Sequence, residues 1–490
     1  MEKEFLMTLK DILSNSARKY SDNQAVIYQK ERLSYAELES LSDFMACQLL
    51  DRGVRKADRV GLLLENSPLY VIAFFSVLKA GAVVVPINTQ LVTRELESII
   101  SDCQPSMIIT DDSHKQSLDT FKDISIFSVS SIRYTPVASL QSIPAKESDP
   151  AMIIYTSGTT GKPKGVMLSH RNLVANAESI VDYLKLSSSD SMMVILPFYY
   201  SYGNSLLTTH IMVGATLVID NRFVFPNVVL ETMEKEKVTG FAGVPSHYAI
   251  LLRKSALRNY KLTSLRYVTQ AGGGMPASMI KEFTEVVPHA QFFVMYGQTE
   301  ATARLTYLAP EHLRSKLGSI GKAIPGVELD VLNEQGQPVQ NGEVGEIVAR
   351  GNNIMLGYWN AAEETGKVKR KEGLWTGDMA KVDSDGFIYL ISRKKEMIKS
   401  GANRISPLEI EDVVSRLHGV VECAAVGVPD EILGESIKLC VVKNGVPLTN
   451  NDILLHCKQH LAPFKMPKEV AFVASLPKTS TGKIKRSELK

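Results

Sequence analysis

Short apolar segments alternate with longer, helix-like segments between residues 59 and 111. Each apolar run has the length of one strand, and each intervening segment has the length of one helix. The predicted strands are 60–64, 83–86 and 106–110, and the predicted helices are 69–79 and 93–101. A second series of predicted strands follows at 194–196, 216–219 and 267–269. Repeated strand and helix units favour an α/β fold with mostly parallel sheets flanked by helices.

The chain of 490 residues is longer than a single hydrophobic core usually allows, so we expect at least two domains. Beyond residue 326, short alternating strands at 327–332 and 346–349 indicate a β-rich subdomain. A charged run at 392–396 directly follows an apolar strand at 387–391 and has the character of a linker. The predicted units are a large N-terminal domain (1–391), a hinge (392–396) and a small α+β C-terminal domain (397–490).

Within the C-terminal unit, Ser406, Pro407 and Glu409 have the spacing of a helix start. Serine is a common N-cap, and proline suits the first helical position. Glutamate at the third helical position closes a capping box by accepting a hydrogen bond from the N-cap backbone. We therefore predict a helix that begins at Pro407 and is capped by Ser406 and Glu409.

Composition excludes several classes of protein. The net charge is only +2, which gives no general case for binding nucleic acid or an acidic membrane surface. The most apolar stretch, 70–87, contains Lys79, Gly81 and Pro86 and is too short to span a membrane. Five scattered cysteines have no metal-ligand spacing and are expected to be buried, reduced thiols. The N-terminus lacks a basic segment followed by an apolar core, so we expect a cytoplasmic protein.

A loop at 155–165 concentrates hydroxyl groups, glycines and two lysines between two apolar, strand-like segments. Glycines let the backbone approach an anion, hydroxyls donate hydrogen bonds, and Lys162 and Lys164 supply positive charge. The loop differs from a Walker A motif, because its glycines are too closely spaced and a proline replaces the usual Ser or Thr. A surface turn is the alternative for such a composition, but the flanking strands favour a polyphosphate clamp.

Two further segments carry a recognisable pattern: Met-Tyr-Gly-Gln-Thr-Glu at 295–300 and Trp-Thr-Gly-Asp at 375–378. Together with the loop, they resemble the adenylate-forming superfamily, which includes acyl-CoA synthetases, carrier-protein adenylation domains and luciferases. The resemblance covers nearly the whole chain. It implies that ATP and Mg²⁺ are cofactors and that a carboxylic acid is converted into an acyl-adenylate.

The resemblance also implies a role for each matched position. Tyr296 is expected to pack against adenine, Asp378 to bind the ribose hydroxyls, and Lys483 to bridge the carboxylate and the α-phosphate. The implied nucleotide-binding positions are Thr156, Ser157, Gly158, Thr159, Thr160, Gly161, Lys162, Lys164, Gly273, Gly274, Tyr296, Gly297, Thr299, Asp378, Arg393 and Lys483. The implied catalytic positions are Lys483, Thr156, Glu300 and Lys399, of which Thr156 and Glu300 bind the metal.

The expected acid pocket departs from the superfamily at two positions. Tyr200 stands where many acyl-CoA ligases have His. We therefore expect no histidine-dependent switching between the half-reactions in this chain. Ser201 stands where amino-acid-activating domains have Asp, so the ammonium group of an α-amino acid would be buried without a partner. The residues expected to line the pocket are Tyr200, Tyr202, Tyr248, Gln270, Gly272, Met275 and Gln298, with Asn204 and His247 at its border. This mixture of polar and aromatic residues does not identify a particular acid as the substrate.

The predicted function is ATP-dependent activation of a carboxylic acid, followed by transfer of the acyl group to a thiol. Attack of the carboxylate on the α-phosphorus gives a mixed anhydride from which AMP leaves readily. Coenzyme A is the default acceptor, and the phosphopantetheine arm of a carrier protein is the alternative. A mobile C-terminal domain, rotating about Lys395, is expected to separate the two half-reactions. A non-catalytic scaffold is disfavoured because Glu300 and Lys483 are both present.

Overall fold

Four β-sheets and the helices packed on them are seen in a computed structural model that describes residues 7–129, 143–156, 163–401, 403–479, 482 and 484–490. The helices are α1 (Leu9–Lys19), α2 (Tyr35–Asp51), α3 (Pro68–Lys79), α4 (Thr93–Cys103), α5 (Asp112–Lys115), α6 (His170–Leu184), α7 (Ser201–Val213), α8 (Pro226–Lys235), α9 (Pro245–Lys254), α10 (Ala277–Val286), α11 (Ala362–Val368), α12 (Pro407–Ser415) and α13 (Asn450–His460).

The largest sheet has nine strands, most of them parallel. In spatial order they are β15 (Lys322–Ala323), β14 (Thr306–Leu308), β13 (Gln291–Tyr296), β12 (Tyr267–Gln270), β11 (Gly240–Gly243), β9 (Ser191–Val194), β10 (Thr216–Ile219), β1 (Gln24–Tyr28) and β2 (Glu31–Ser34). The strands from β13 to β1 run parallel, so their carboxyl ends form one edge of the sheet. Ligands of α/β folds commonly bind outside such an edge.

The second sheet has seven strands and contains a hairpin next to one of its edge strands. In spatial order they are β18 (Gly357–Tyr358), β8 (Lys164–Ser169), β7 (Pro150–Thr156), β4 (Val83–Pro86), β3 (Arg59–Leu63), β5 (Met107–Thr110) and β6 (Ser125–Ser128). Helix α3 packs against strands of both sheets and is buried on almost every side, which accounts for its nearly unbroken apolar sequence. Ser67 caps this helix by accepting a hydrogen bond from the Tyr70 amide.

Two smaller sheets complete the chain. The first contains β16 (Val327–Leu332), β17 (Gly345–Gly351), β20 (Gly373–Val382) and β19 (Lys369–Arg370), and β21 (Ile388–Arg393) pairs with β20. The second contains β23 (Asn403–Ile405), β22 (Ile398–Ser400), β25 (Gly434–Lys443) and β24 (Val420–Asp430), and β26 (Glu469–Phe472) pairs with β25. This last sheet packs with α12 and α13 around an apolar core of its own.

Most predicted strands and helices are confirmed to within two residues at either end, but the strand predicted at 194–196 is displaced. Strand β9 ends at Val194. Beyond it, the side chain of Asn66 donates a hydrogen bond of 2.8 Å to the Leu196 carbonyl and accepts one of 2.8 Å from the Phe198 amide. The Asn66 side chain thus makes the hydrogen bonds that the backbone of a neighbouring strand would otherwise make.

The capping box predicted at Ser406 and Glu409 is wrong, although α12 does begin at Pro407. The Ser406 hydroxyl donates instead to the carbonyl of Ile391, on β21. The Glu409 carboxylate pairs with the ammonium of Lys465 at 2.5 Å. Both side chains thus have tertiary partners. Through Ser406, the C-terminal unit is hydrogen-bonded to β21, the strand that leads into the predicted hinge.

Strand β21 includes Ser392 and Arg393, so the irregular part of the predicted hinge is the turn at 394–396.

The five cysteines are free thiols, four of them buried and Cys47 partly exposed. Within the described part of the chain, no helix combines the length and the hydrophobicity needed to cross a membrane.

Candidate active site

The loops after β12 and β13 lie side by side at the carboxyl edge of the nine-stranded sheet. Three glycines at 272–274 follow β12, and the Gln270 side chain donates a hydrogen bond of 2.7 Å to the carbonyl of Gly273. Gly297 follows β13, and a Cβ atom there would lie 2.0 Å from the carbonyl oxygen of Ala303. Only glycine permits that approach, so the sequence pattern is explained by the turn.

The hairpin of β7 and β8 carries the predicted phosphate loop. Thr156 and Lys164 pair in register at its two ends, with the Thr156 hydroxyl 3.5 Å from the Lys164 carbonyl oxygen. The remaining predicted ligands of this loop lie outside the described residues: Ser157, Gly158, Thr159, Thr160, Gly161 and Lys162. The Lys164 ammonium pairs with Glu364 and lies 5.1 Å from the centre of the Tyr358 ring. A fixed positive charge therefore stands at the base of the loop.

Glu300 lies in the turn just after β13. Its Oε1 atom accepts a hydrogen bond of 2.8 Å from the Tyr358 hydroxyl, and its carbonyl accepts one of 2.9 Å from the Met355 amide. Beside it, the Thr299 hydroxyl lies 3.2 Å from that of Ser201. The turn thus presents a half-buried carboxylate with one oxygen held in place.

Asp378, on β20, is 5% exposed and contacts two other predicted nucleotide ligands. Its Oδ2 atom accepts a hydrogen bond of 2.7 Å from the Tyr296 hydroxyl, and its Oδ1 atom lies 3.3 Å from Nε of Arg393. Burial, and then the charge of Asp378, raise the pKa of Tyr296 well above its usual value, so the phenol remains a donor. The structure therefore brings Tyr296, Asp378 and Arg393 together.

Sequence reasoning missed three polar residues that support this site: Glu346, Tyr358 and Glu364. Glu346 is buried and accepts hydrogen bonds from the Gly377 amide at 2.9 Å and from the Lys394 ammonium at 3.1 Å. It therefore braces the turn that leads into Asp378. No spacing or composition distinguishes these three residues in the sequence, and only their tertiary contacts reveal them.

Four of the predicted pocket residues are at most 9% exposed and lie in the wall of the site: Tyr202, Tyr248, Gln270 and Met275. The hydroxyls of Tyr202 and Tyr248 both donate to the Thr269 carbonyl, at 2.9 and 2.7 Å. These tyrosines therefore hold β12 in place. Tyr200, Gly272 and Gln298 are more exposed and remain the better candidates for direct contact with an acid.

Tyr200 and His247 each pack against another aromatic ring. The Tyr199 and Tyr200 ring centres are 4.6 Å apart, as are those of Phe223 and His247. Burial, with a smaller contribution from the charge of Lys478, lowers the pKa of His247 to about 4. The predicted border of the acid pocket thus carries a neutral imidazole at physiological pH. Asn204 is buried on α7.

The C-terminal unit contacts the N-terminal domain beside these loops. A Cβ atom at Gly482 would lie 2.8 Å from the Ser246 hydroxyl oxygen, and one at Gly274 would lie 3.5 Å from a methyl group of Leu408. Lys483 lies outside the described residues, but Gly482 directly before it packs on the first turn of α9. Gly482 therefore lies beside α9, the helix that carries the predicted pocket residues His247 and Tyr248.

The remaining predicted residues lie elsewhere in the C-terminal unit. Lys399 is exposed in the hairpin of β22 and β23, and its backbone amide donates a hydrogen bond of 2.7 Å to Glu435. No recorded contact within the described ranges joins Lys399 to the nucleotide ligands. Lys395 is exposed in the turn at 394–396. Of the four predicted catalytic residues, Thr156, Glu300 and Lys399 belong to the described ranges, and Lys399 is the one of these three that lies in the C-terminal unit.

Comparisons with known proteins identify the family of the chain. Residues 13–359 match the AMP-binding enzyme family, and residues 409–483 match the AMP-binding enzyme C-terminal domain. Feruloyl-CoA synthase of Amycolatopsis sp is 33% identical over 476 residues, which cover 95% of each chain. The long-chain-fatty-acid–CoA ligase of Bacillus subtilis is 32% identical over 528 residues, which cover 98% of this chain and 94% of the relative.

A solved structure is similar over the same extent. The anthranilate CoA ligase AuaEII in complex with anthranoyl-AMP has a TM-score of 0.92 and 28% identity, and the match covers 99% of this chain and 96% of that one. The fold and the extent of these matches agree with one another. The chain belongs to the AMP-binding enzymes of the adenylate-forming superfamily, the acyl-CoA synthetases and ligases.

Proposed function

We propose that the protein joins a carboxylic acid to coenzyme A in two steps, with ATP cleaved to AMP and pyrophosphate. Relatives named as CoA synthase and CoA ligase support the overall reaction, and a structural neighbour that holds an acyl-AMP supports the intermediate. The acid first attacks the α-phosphorus of ATP, and the thiol then displaces AMP from the acyl-adenylate. The first step forms a bond between a carboxylate oxygen and the α-phosphorus and releases pyrophosphate. The second step forms the thioester bond and releases AMP.

The observation that carries this proposal is the position of residues 296–300. At one end of this short segment, Tyr296 binds Asp378, the predicted ribose ligand. At the other end, Glu300 binds Tyr358, whose ring lies below the Lys164 ammonium at the base of the phosphate loop. One turn thus connects a site suited to a nucleoside with a site suited to its phosphates.

Magnesium fits the oxygen groups of this site. Thr156 and Glu300 offer a hydroxyl and a carboxylate oxygen, which are donors that Mg²⁺ prefers. The second oxygen of Glu300 makes no hydrogen bond to any residue in the described ranges. Mg²⁺ bound there would neutralise charge on the phosphates. Lys164 and Lys483 would add positive charge that holds the phosphates and the carboxylate in position for attack.

The two steps require different positions of the C-terminal unit. The contacts of Gly482 with Ser246 and of Leu408 with Gly274 support assignment of this arrangement to adenylation. Rotation at Lys395 would then withdraw the end of the chain and bring the hairpin of Lys399 toward the adenylate. In this scheme residues 1–391 bind both substrates and residues 397–490 act as the moving lid.

Five free thiols suit a reducing compartment, and we place the enzyme in the cytoplasm.

Exchange of labelled pyrophosphate into ATP tests the first step. A panel of aromatic, short-chain and long-chain acids should contain at least one acid that supports exchange, and no exchange should occur without acid. The active acid is then incubated with ATP and either coenzyme A or a holo carrier protein. Formation of the acyl-CoA thioester is the expected result. Absence of exchange with every acid would overturn adenylation, and transfer only to the carrier protein would overturn the choice of acceptor.

A further inference from the structure

Tyr358 occupies an edge strand that pairs directly with the returning strand of the phosphate loop. It lies opposite Val166 in the antiparallel pair of β18 and β8. The next residue, Trp359, donates its amide to the Gly165 carbonyl at 2.7 Å, and a Cβ atom at Gly165 would lie 3.2 Å from Cβ of Trp359. The backbone of Tyr358 is therefore fixed against the strand that carries Lys164.

The side chain of Tyr358 contacts two charged residues of the candidate site, Glu300 and Lys164. Its hydroxyl donates a hydrogen bond of 2.8 Å to Oε1 of Glu300, and its ring centre lies 5.1 Å from Nζ of Lys164. Tyr358 is 8% exposed. Burial, followed by the charge of Glu300, raises its pKa above the usual value, so the hydroxyl stays protonated.

We propose that Tyr358 is a positioning residue for the magnesium complex of ATP, which fixes the Glu300 carboxylate through its hydroxyl and supports the Lys164 ammonium through its ring. The inference rests on the proposed function, in which Glu300 faces the metal and Lys164 faces the phosphates. A buried hydrogen bond to a carboxylate restricts rotation of that carboxylate, and the face of an aromatic ring attracts a cation at this distance.

Glu364 completes the arrangement from the other side. Its carboxylate pairs with Lys164, and this pairing lowers the pKa of Glu364 to about 2. The ammonium is thus held between a negative charge and a ring. The hydroxyl and the ring of Tyr358 therefore have separable effects, since the first acts on the metal ligand and the second on the phosphate ligand.

Calorimetric titration with ATP, without any acid, separates these effects. Wild type is titrated in excess Mg²⁺ and again in EDTA, and Tyr358→Phe and Tyr358→Leu are compared with it. Tyr358→Phe should lose about tenfold in affinity for ATP with Mg²⁺ and keep its affinity for ATP in EDTA, because only the hydrogen bond to Glu300 is removed. Tyr358→Leu should weaken binding under both conditions, because the ring is removed as well.

Tyr35→Phe is the matched control. The Tyr35 hydroxyl is also buried and donates to the Ala215 carbonyl at 2.6 Å, but it belongs to the core and not to the site. This variant should lower the melting temperature without changing the effect of Mg²⁺ on ATP binding. Equal losses for Tyr35→Phe and Tyr358→Phe, or an unchanged effect of Mg²⁺ in Tyr358→Phe, would overturn the proposal.

A double-mutant cycle provides a second test that does not depend on Tyr358→Phe alone. If the hydroxyl acts through Glu300, Glu300→Gln with Tyr358→Phe should bind magnesium ATP no more weakly than Glu300→Gln does. If the losses of affinity for magnesium ATP were additive in the double variant, the Tyr358 hydroxyl would not act through Glu300. Failure of wild type to exchange pyrophosphate would count against the proposed function. An active wild type whose Tyr358→Phe variant keeps the normal response to Mg²⁺ would count against the positioning role only.

Discussion

The Tyr296 hydroxyl donates a hydrogen bond of 2.7 Å to Oδ2 of Asp378 and so joins the end of a parallel strand, β13, to a strand of a separate antiparallel sheet, β20. Nε of Arg393 lies 3.3 Å from the other carboxylate oxygen. A carboxylate that is almost fully buried is thus balanced by a neutral donor and a cation, as buried charges require. This charged carboxylate is the predicted acceptor of the ribose hydroxyls.

Replacing Asp378 by Asn should raise the KM for ATP by about 10- to 100-fold, because a charged acceptor of the ribose hydroxyls becomes a neutral one. Pyrophosphate exchange at varied ATP gives that KM. Asp383→Asn is the control, since Asp383 follows the same strand but pairs with Lys316 at 2.8 Å. If both variants keep the KM of wild type, Asp378 does not bind the nucleotide.

The sequence predicted Tyr296 and Asp378 separately but not their contact. Each lies in a short, contiguous pattern, whereas the hydrogen bond joins residues 82 positions apart. Gly297 was equally accessible to prediction because a local turn requires it. Strands and helices were predictable for the same reason, since hydrophobic periodicity is a local property.

Errors arose where a tertiary partner replaced a local one. A capping box would have given the Ser406 hydroxyl a local partner, but the hydroxyl donates instead to the carbonyl of Ile391 on β21. Tyr202 and Tyr248 stay predicted pocket residues, but no sequence pattern indicated that both hydroxyls donate to the Thr269 carbonyl. Tyr358 gave no signal at all, because its importance comes from residues that the fold brings near it. Sequence patterns identify which residues are present at a site more readily than which neighbours they contact.

Replacing Lys483 by Ala should slow acyl-adenylate formation by orders of magnitude and spare the transfer of the acyl group from supplied acyl-adenylate to the thiol. The reason is that its charge stabilises the phosphoryl-transfer step alone. Single-turnover assays of each half-reaction measure the two rates.

Lys485→Ala is the matched control for this prediction. Lys485 belongs to the same basic segment, but its ammonium pairs with Glu488 at 3.0 Å on the surface. It should retain both rates. Equal loss of both half-reactions in Lys483→Ala would contradict the assigned role.

Replacing Lys395 by Pro should impair thioester formation more than adenylation, because proline fixes φ in the turn at 394–396 and opposes domain rotation. The same two half-reaction assays measure the effect. Lys395→Ala removes the same side chain without restricting the backbone, so the difference between the two variants measures the effect of the fixed φ. If Lys395→Pro leaves both rates unchanged, rotation does not occur at this residue.

Acid should destabilise the protein through buried histidines, of which His210 is the most enclosed. Its Nδ1 lies 2.8 Å from the Leu206 carbonyl and its Nε2 lies 2.8 Å from the Tyr267 hydroxyl. Burial lowers the pKa of His210 to about 4, so the folded state keeps this imidazole neutral. Between pH 6.5 and 4 the unfolded chain takes up a proton that the folded chain does not, and the free energy of unfolding falls as pH falls. The loss attributable to this residue approaches about 3 kcal/mol at pH 4 and is absent above pH 7.

Urea unfolding from pH 8 to pH 4 checks this expectation with His210→Gln and, as control, His418→Gln at an exposed position. His210→Gln should be less stable than wild type at pH 8, because it loses a fitted pair of hydrogen bonds, yet its stability should decline less steeply toward pH 4. The two stability curves should therefore approach each other in acid, whereas the curve of His418→Gln should follow that of wild type throughout. Parallel curves for wild type and His210→Gln would show that His210 takes up its proton equally in the folded and unfolded states, in conflict with its burial.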